Sequence, residues 1–252
     1  MSRSSSERLT IPASPGIQLE AILSSPSSSS SATSNTSGNK VAVCLHPWSW
    51  LGGRMADPVV GAVEGVLIGK GYHVIRYNSR GVGRSTGRVS STGMAEGEDL
   101  EGVVRWALQR IPNIDTVTIA GYSHGALIAS LHPVLPPPIT MNHILISYPL
   151  GPRGWLTLFK SAHYAARLSD LIQNPRARVL VVHGDGDEFT SAASYRDWAA
   201  ELRMAADSGG RSDEGPGEAA ARLVISSCPR ASHFWHGDSE NALEEEISKF
   251  LS

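Results

Sequence analysis

A serine between two glycines gives the strongest chemical signal in this chain. Gly121-Tyr122-Ser123-His124-Gly125 matches the pattern G-x-S-x-G, follows the strand-like run 116–121 and precedes a stretch of small residues typical of a helix start. A serine at such a strand-to-helix turn is exposed on a strained backbone, and the flanking glycines leave room for the strand and helix to pass closely. We therefore expect Ser123 to be a nucleophile.

A serine hydroxyl needs a base to remove its proton and an acid to orient that base. In a sheet of parallel strands these partners follow later strands, in the chain order serine, acid, histidine. The run 178–184 is followed by Asp185 and Asp187. Asp187 is the preferred acid because the loop needs two or three residues to reach a histidine, and Asp185 is the alternative.

The last strand-like run, 221–227, is followed by two histidines, His233 and His236. His233 is the preferred base because it comes soon after the strand and precedes Phe234 and Trp235, which would shield it from water. His236 is the alternative. The spacing of the two histidines also leaves open a metal site, although no helix is indicated there.

Attack on a carbonyl produces an oxyanion that two convergent N–H groups must stabilise. The backbone N–H of His124, directly after the nucleophile, is the first candidate. The second comes from the loop after the run 41–46, where Pro47 has no N–H and Trp48 is the more plausible donor.

Composition narrows the class of protein. The chain has 252 residues, with 22 Lys and Arg against 24 Asp and Glu, for a net charge of −2. This balance argues against nucleic acid as a partner. Two cysteines, Cys44 and Cys228, exclude a disulfide framework. No apolar run is long enough to span a membrane and the first residues lack a secretory signal, so we expect a cytoplasmic protein.

Strand-like and helix-like runs alternate along the chain, which predicts a parallel sheet with helices on both faces. The strand-like runs are 17–23, 41–46, 73–78, 116–121, 143–149, 178–184 and 221–227, and the helical stretches lie near 58–70, 96–110, 155–172, 195–204 and 239–251.

Two segments rich in small and polar residues interrupt this pattern. Residues 24–39 and 207–220 hold almost no large apolar side chains, so we expect disordered surface loops there. The first is predicted to be an enlarged hairpin loop between two strands. No linker divides the remainder, and we expect a single domain over residues 1–252.

Four ordered motifs resemble the α/β-hydrolase superfamily, and within it a small subfamily that lacks a lid. The motifs are His46-Pro47 with Gly52, Gly53 and Met55; Arg76, Asn78, Arg80, Gly81, Gly83, Ser85 and Gly87; Gly93, Glu96 and Asp99; and His233-Phe234-Trp235-His236-Gly237. The resemblance runs from about residue 9 to the end of the chain. It implies a mostly parallel sheet of about eight strands and the same triad of Ser123, Asp187 and His233.

Only residues 150–177 separate two of the predicted strands, which leaves no room for a substantial cap. We therefore expect an open site whose walls include side chains from the set Trp48, Trp50, Trp155 and Trp235, with the others of this set in the core.

Four charged motif residues could meet near the mouth of the site. For Arg76, Arg80, Glu96 and Asp99 we favour ion pairs that fix loops over contacts with substrate.

The expected function is hydrolysis of a small-molecule carboxylic ester or thioester through an acyl-enzyme intermediate, without a cofactor or a metal. Two alternatives stay open. One is a serine peptidase of the aminopeptidase or dipeptidyl-peptidase type, and the other is a catalytically silent α/β-hydrolase that serves as a binding scaffold. The sequence does not indicate an oligomeric state.

Overall fold

The computed structural model describes residues 5–26, 38–151, 160–209 and 222–252. Eight strands form one sheet in the order β1-β2-β4-β3-β5-β6-β7-β8. The strands are β1 (Ser5–Ser14), β2 (Ile17–Ser25), β3 (Asn39–Leu45), β4 (Tyr72–Tyr77), β5 (Ile114–Tyr122), β6 (Thr140–Ile146), β7 (Ala177–Gly184) and β8 (Leu223–Cys228).

Strands β3 to β8 pair in parallel, whereas β1 with β2 and β2 with β4 are antiparallel. The predicted mostly parallel sheet is therefore confirmed. Parallel strands present their carboxyl ends at one edge of the sheet, and the loops that leave this edge carry the candidate residues.

Six helices cover the two faces of the sheet within the described residues. They are α1 (Pro58–Gly69), α2 (Met94–Arg110), α3 (His124–Ala129), α4 (Ser161–Gln173), α5 (Ala192–Gly209) and α6 (Asp238–Phe250). Between β6 and β7 the described residues contain α4 alone, as expected for a chain without a large cap. No helix in these ranges is long and apolar enough to cross a membrane.

Each face of the sheet has its own apolar core. One core joins α1 and α6 to the sheet through side chains such as Leu67 and Ile247, which are fully buried. The other joins α2, α3, α4 and α5, with buried side chains such as Leu100 and Leu168. The predicted helices on both faces are thus present, and the sheet is held rigidly between them.

The predicted hairpin across residues 24–39 is wrong. Strand β4 lies between β2 and β3 and pairs with both, so the two strands that flank this segment are not neighbours. Spacing alone could not reveal this, because β4 comes later in the chain than β3. Most of 24–39, and most of the predicted loop at 207–220, lies outside the described residues.

Candidate active site

The turn at Ser123 has the geometry of a strained elbow. Ser123 has a φ of 56° and a ψ of −119°, a conformation that non-glycine residues rarely adopt. Its backbone N–H donates a hydrogen bond to the carbonyl of Ile146 on the neighbouring strand, at 2.8 Å. A Cβ at Gly121 would lie 2.2 Å from the carbonyl oxygen of Gly125, so the turn requires glycine there. The side chain of Ser123 is held at the end of β5.

Helix α3 begins directly against the end of β3. A Cβ at Gly125 would lie 2.6 Å from the carbonyl oxygen of Leu45 and 2.8 Å from that of His46. Glycine at this position therefore brings the start of α3 beside the loop that follows β3. This packing places the backbone of His124 and that of Trp48, the two predicted oxyanion donors, on adjacent segments.

The structure brings Ser123, His233 and Asp187 together in a continuous chain of hydrogen bonds. His233 Nε2 lies 3.0 Å from Ser123 Oγ, and His233 Nδ1 lies 2.7 Å from Asp187 Oδ2. All three residues are buried. In this arrangement Nδ1–H donates to the carboxylate, which leaves Nε2 free to accept the serine proton.

The carboxylate of Asp187 has several further donors. Its Oδ1 accepts hydrogen bonds from the backbone N–H groups of Phe189 at 2.8 Å and Thr190 at 3.0 Å. The Tyr195 hydroxyl lies 3.3 Å from Oδ2. These contacts fix the orientation of the carboxylate. The alternative acid, Asp185, instead accepts a hydrogen bond from the backbone N–H of Arg230 at 2.5 Å.

The loop that carries His233 is tied down from several sides. The Tyr122 hydroxyl donates to the His233 carbonyl at 2.9 Å, and the His233 backbone N–H donates to Glu188 Oε2 at 2.9 Å. His236, the alternative base and second candidate metal ligand, stacks on the ring of Phe234, with ring centroids 6.1 Å apart. It does not join the hydrogen-bond chain.

A cleft of about 280 Å³ opens beside Ser123 and His233. It is lined by Pro47, Trp48, Leu51, Gly52, Gly53, Asp57, Tyr122, Ser123, Pro149, Phe189, His233 and Phe234.

The four tryptophans that were candidates for the cleft wall lie in different places in the structure. Trp48 lines the cleft, and Trp50 stacks on Trp48 and is 68% exposed. Trp235 is 1% exposed and donates from Nε1 to Ser147 Oγ at 2.9 Å, so it is one of the tryptophans that belong to the core and not to the wall. A positive φ of 52° turns its backbone away from the extended path. Trp155 lies outside the described residues.

Two further histidines are buried near the nucleophile and stay neutral. Burial lowers the pKa of both His46 and His124 to about 4. The His46 ring donates from Nδ1 to the carbonyl of Pro47 at 2.7 Å and accepts at Nε2 from the backbone N–H of Ser79 at 3.1 Å. His46 therefore fixes the start of the loop that holds Trp48.

The charged motif residues fix loops and do not line the cleft. Arg80 makes a two-point ion pair with Asp99, with both N···O distances at 2.7 Å. Arg76 pairs with Glu64 at 2.9 Å. Glu96 accepts hydrogen bonds from both the backbone and the hydroxyl of Ser90. The sequence-based preference for loop-fixing pairs is confirmed for Arg80 and Asp99, whereas the pair of Arg76 with Glu64 joins β4 to α1.

Sequence reasoning missed three residues that the structure places at or around the site. Asp57 lines the cleft, Glu188 holds the backbone of His233, and Tyr195 contacts Asp187. Asp57 precedes Pro58 at the start of a helix, which marks a helix N-cap but gives no sign of a cleft. Tyr195 lies within a predicted helix, where its position relative to Asp187 depends on tertiary packing.

Comparison with known families agrees with this geometry. The family model described as X-Pro dipeptidyl-peptidase (S15 family) matches residues 16–145, about half of the chain. The chain belongs to the S15 family of α/β-hydrolases. The matched region includes Ser123 but ends before Asp187 and His233. An uncharacterized protein of Rickettsia prowazekii is 35% identical over 158 residues, which cover 62% of this chain and 60% of that protein. The match therefore spans less than two thirds of this curated relative.

Solved structures extend the comparison to almost the whole chain. An α/β serine hydrolase without a lid from Xanthomonas campestris is 26% identical, covers 98% of this chain and 94% of its own, and has a TM-score of 0.70. A serine hydrolase homologue from Coxiella burnetii is 24% identical, with coverage of 100% and 99% and a TM-score of 0.70. Est1E from Butyrivibrio proteoclasticus, solved with ferulic acid, is 18% identical, with coverage of 96% and 97% and a TM-score of 0.70. The last two support the fold alone. Together the matches support a hydrolase of the lid-lacking α/β type.

Proposed function

We propose that this protein hydrolyses carboxylic esters or thioesters through an acyl-enzyme intermediate. One observation carries the proposal: the hydrogen-bond chain from Ser123 Oγ through His233 to Asp187 opens into a cleft large enough for part of a small ester. A catalytically silent scaffold would not need an imidazole held between a serine with a strained backbone and a carboxylate that accepts four hydrogen bonds.

The reaction begins when Ser123 Oγ attacks the carbonyl carbon and His233 Nε2 takes the hydroxyl proton. The backbone N–H groups of His124 and Trp48 stabilise the oxyanion. His233 then gives the proton to the leaving alcohol or thiol, and the acyl group stays on Ser123. His233 then takes a proton from water, which attacks the acyl carbon. The bond to Ser123 Oγ breaks, His233 returns the proton to Oγ, and the carboxylic acid leaves. Asp187 holds the imidazole in the required tautomer throughout.

The test is covalent labelling and ester hydrolysis. A fluorophosphonate should label the wild-type protein at Ser123, and Ser123→Ala should lose labelling and reduce kcat for p-nitrophenyl acetate by roughly 10³-fold or more. Ser169→Ala is the matched control and should keep both, because Ser169 lies on α4, outside the described lining of the cleft, and its hydroxyl accepts a hydrogen bond from Gln173. Unchanged turnover by Ser123→Ala would overturn the proposal.

A peptidase is the second candidate, and the S15 family match favours it. The same triad would cleave an amide, with the amine as the leaving group. The two functions are separated by comparing kcat/KM for a p-nitrophenyl ester with that for an X-Pro p-nitroanilide. Ester cleavage faster by orders of magnitude supports the first proposal, and comparable rates support the peptidase.

A further inference from the structure

Asp57 is the charged side chain of the cleft wall that the proposed reaction does not use. Its Oδ1 accepts a hydrogen bond from the backbone N–H of Val59 at 2.9 Å, which caps helix α1. The residue is half-buried and lines the same cleft as Ser123. An asparagine would cap the helix equally well, so the N-cap role by itself does not require a charge at this position.

The charge of Asp57 has no partner of opposite sign in the described part of the chain. No lysine or arginine is among the described residues that line the cleft, and no described salt bridge within 4 Å includes Asp57. Burial raises the pKa of Asp57, opposed by its hydrogen bonds to the start of α1 and by the field of His236. The carboxylate is therefore less well solvated than a surface carboxylate, and a bound cation would compensate for the water it has lost.

Aromatic rings occupy much of the remaining wall. Trp48, Tyr122, Phe189 and Phe234 all line the cleft, and Phe189 and Phe234 are 41% and 46% exposed. Aromatic faces attract ammonium groups because the ring quadrupole is negative above the plane. A carboxylate among aromatic rings therefore favours an organic cation, and it disfavours a substrate with a negative charge near the scissile bond.

We propose that the cleft selects esters that carry an ammonium group, which Asp57 and the surrounding aromatic faces bind while Ser123 attacks the carbonyl. This inference rests on the proposed hydrolase and names its substrate class. Asp57 is a specificity residue in this scheme and takes no part in proton transfer.

The test compares two esters of the same shape. Propionylcholine and 3,3-dimethylbutyl propionate differ only in the exchange of the quaternary nitrogen for carbon. Wild-type kcat/KM should favour the cationic ester by roughly tenfold, within the range of a carboxylate and cation–π contact. Asp57→Asn keeps the helix cap and should bring the ratio close to one. Asp170→Asn, an exposed carboxylate on α4, is the matched control and should keep the wild-type ratio.

A binding measurement separates this inference from the hydrolase proposal. Phenyltrimethylammonium, titrated calorimetrically into Ser123→Ala, should bind, and the added Asp57→Asn change should weaken binding by roughly tenfold. Asp57-dependent binding without hydrolysis of either ester would support the cation site and overturn the hydrolase. Hydrolysis of both esters at equal kcat/KM, or a ratio that Asp57→Asn leaves unchanged, would overturn the cation site and support the hydrolase.

Discussion

His233 and His143 are both buried, with 5% and 0% exposure, yet their surroundings differ in every other respect. Both ring nitrogens of His233 have partners, Ser123 on one side and Asp187 on the other. Neither ring nitrogen of His143, in the middle of β6, makes a hydrogen bond of normal geometry with a described residue, although the backbone of His132 lies near the ring. Burial lowers its pKa to about 3, although the His132 backbone opposes the shift. The contrast shows that a buried histidine can lack hydrogen bonds of normal geometry with the described residues, as His143 does, or be oriented between two partners, as a proposed base such as His233 requires.

The largest expected effect comes from breaking the paired histidine. His233→Gln retains a polar side chain of similar length but cannot shuttle a proton, so kcat for an ester should fall by roughly 10⁶-fold. Steady-state kinetics with p-nitrophenyl acetate measure this, and circular dichroism checks the fold. His236→Gln is the matched control and should keep activity within a few-fold. If His236→Gln lost more activity than His233→Gln, His236 and not His233 would be the base.

Removing the acid should have the next largest effect. In Asp187→Asn the amide can donate to Nδ1 and so favours the wrong tautomer of His233, and kcat should fall by about 10⁴-fold. Asp185→Asn provides the control, because its carboxylate contacts the backbone of Arg230 instead of the imidazole. If Asp185→Asn lost as much activity as Asp187→Asn, the orienting role of Asp187 would be wrong.

Replacing His143 should change the pH dependence of folding stability and leave catalysis unchanged. The pKa of His143 is about 3 in the folded protein against an ordinary value of 6.5, so below pH 6.5 the unfolded chain binds a proton that the folded chain does not. Folding stability is therefore lost as the pH falls from 6.5 towards 3. At pH 5 the loss from this one residue is about 2 kcal/mol.

His143→Leu removes this titration. Urea unfolding at pH 7.5 and pH 5 should show the variant gaining about 2 kcal/mol relative to wild type at the lower pH, with kcat unchanged. If the variant and the wild type differed in stability by the same amount at both pH values, His143 would not contribute to the pH dependence of folding, and the prediction would be wrong. His163→Leu, a histidine exposed on α4, is the control and should not alter the pH dependence.

The three residues of the candidate site could be predicted because each one follows a sequence pattern that is visible along the chain. Ser123, Asp187 and His233 each follow a buried strand, and the carboxyl ends of parallel strands meet at one edge of the sheet. The choice between Asp187 and Asp185 depended on loop length and could be checked only in space.

The remainder depends on tertiary structure. Strand β1 was not among the predicted strands, because its polar sequence forms an edge that pairs with β2 alone and is mostly exposed. Trp235 was a candidate for the cleft wall, but the backbone turn that directs it into the core leaves no mark in the sequence. Asp57 joins the cleft only because α1 begins beside the end of β5.

In the loop after β8, two consecutive residues have different roles: one anchors the loop in the core and the other is exposed in the cleft. Trp235 is locked in the core by its bond to Ser147, while Phe234, one residue earlier, projects into the cleft and stays 46% exposed. The backbone of His233 is held by Tyr122 and Glu188, independently of the Phe234 ring, although this ring also packs edge-on against the imidazole with centroids 5.7 Å apart. Position 234 is therefore where a single substitution would reshape the cleft wall while the backbone on both sides stays anchored.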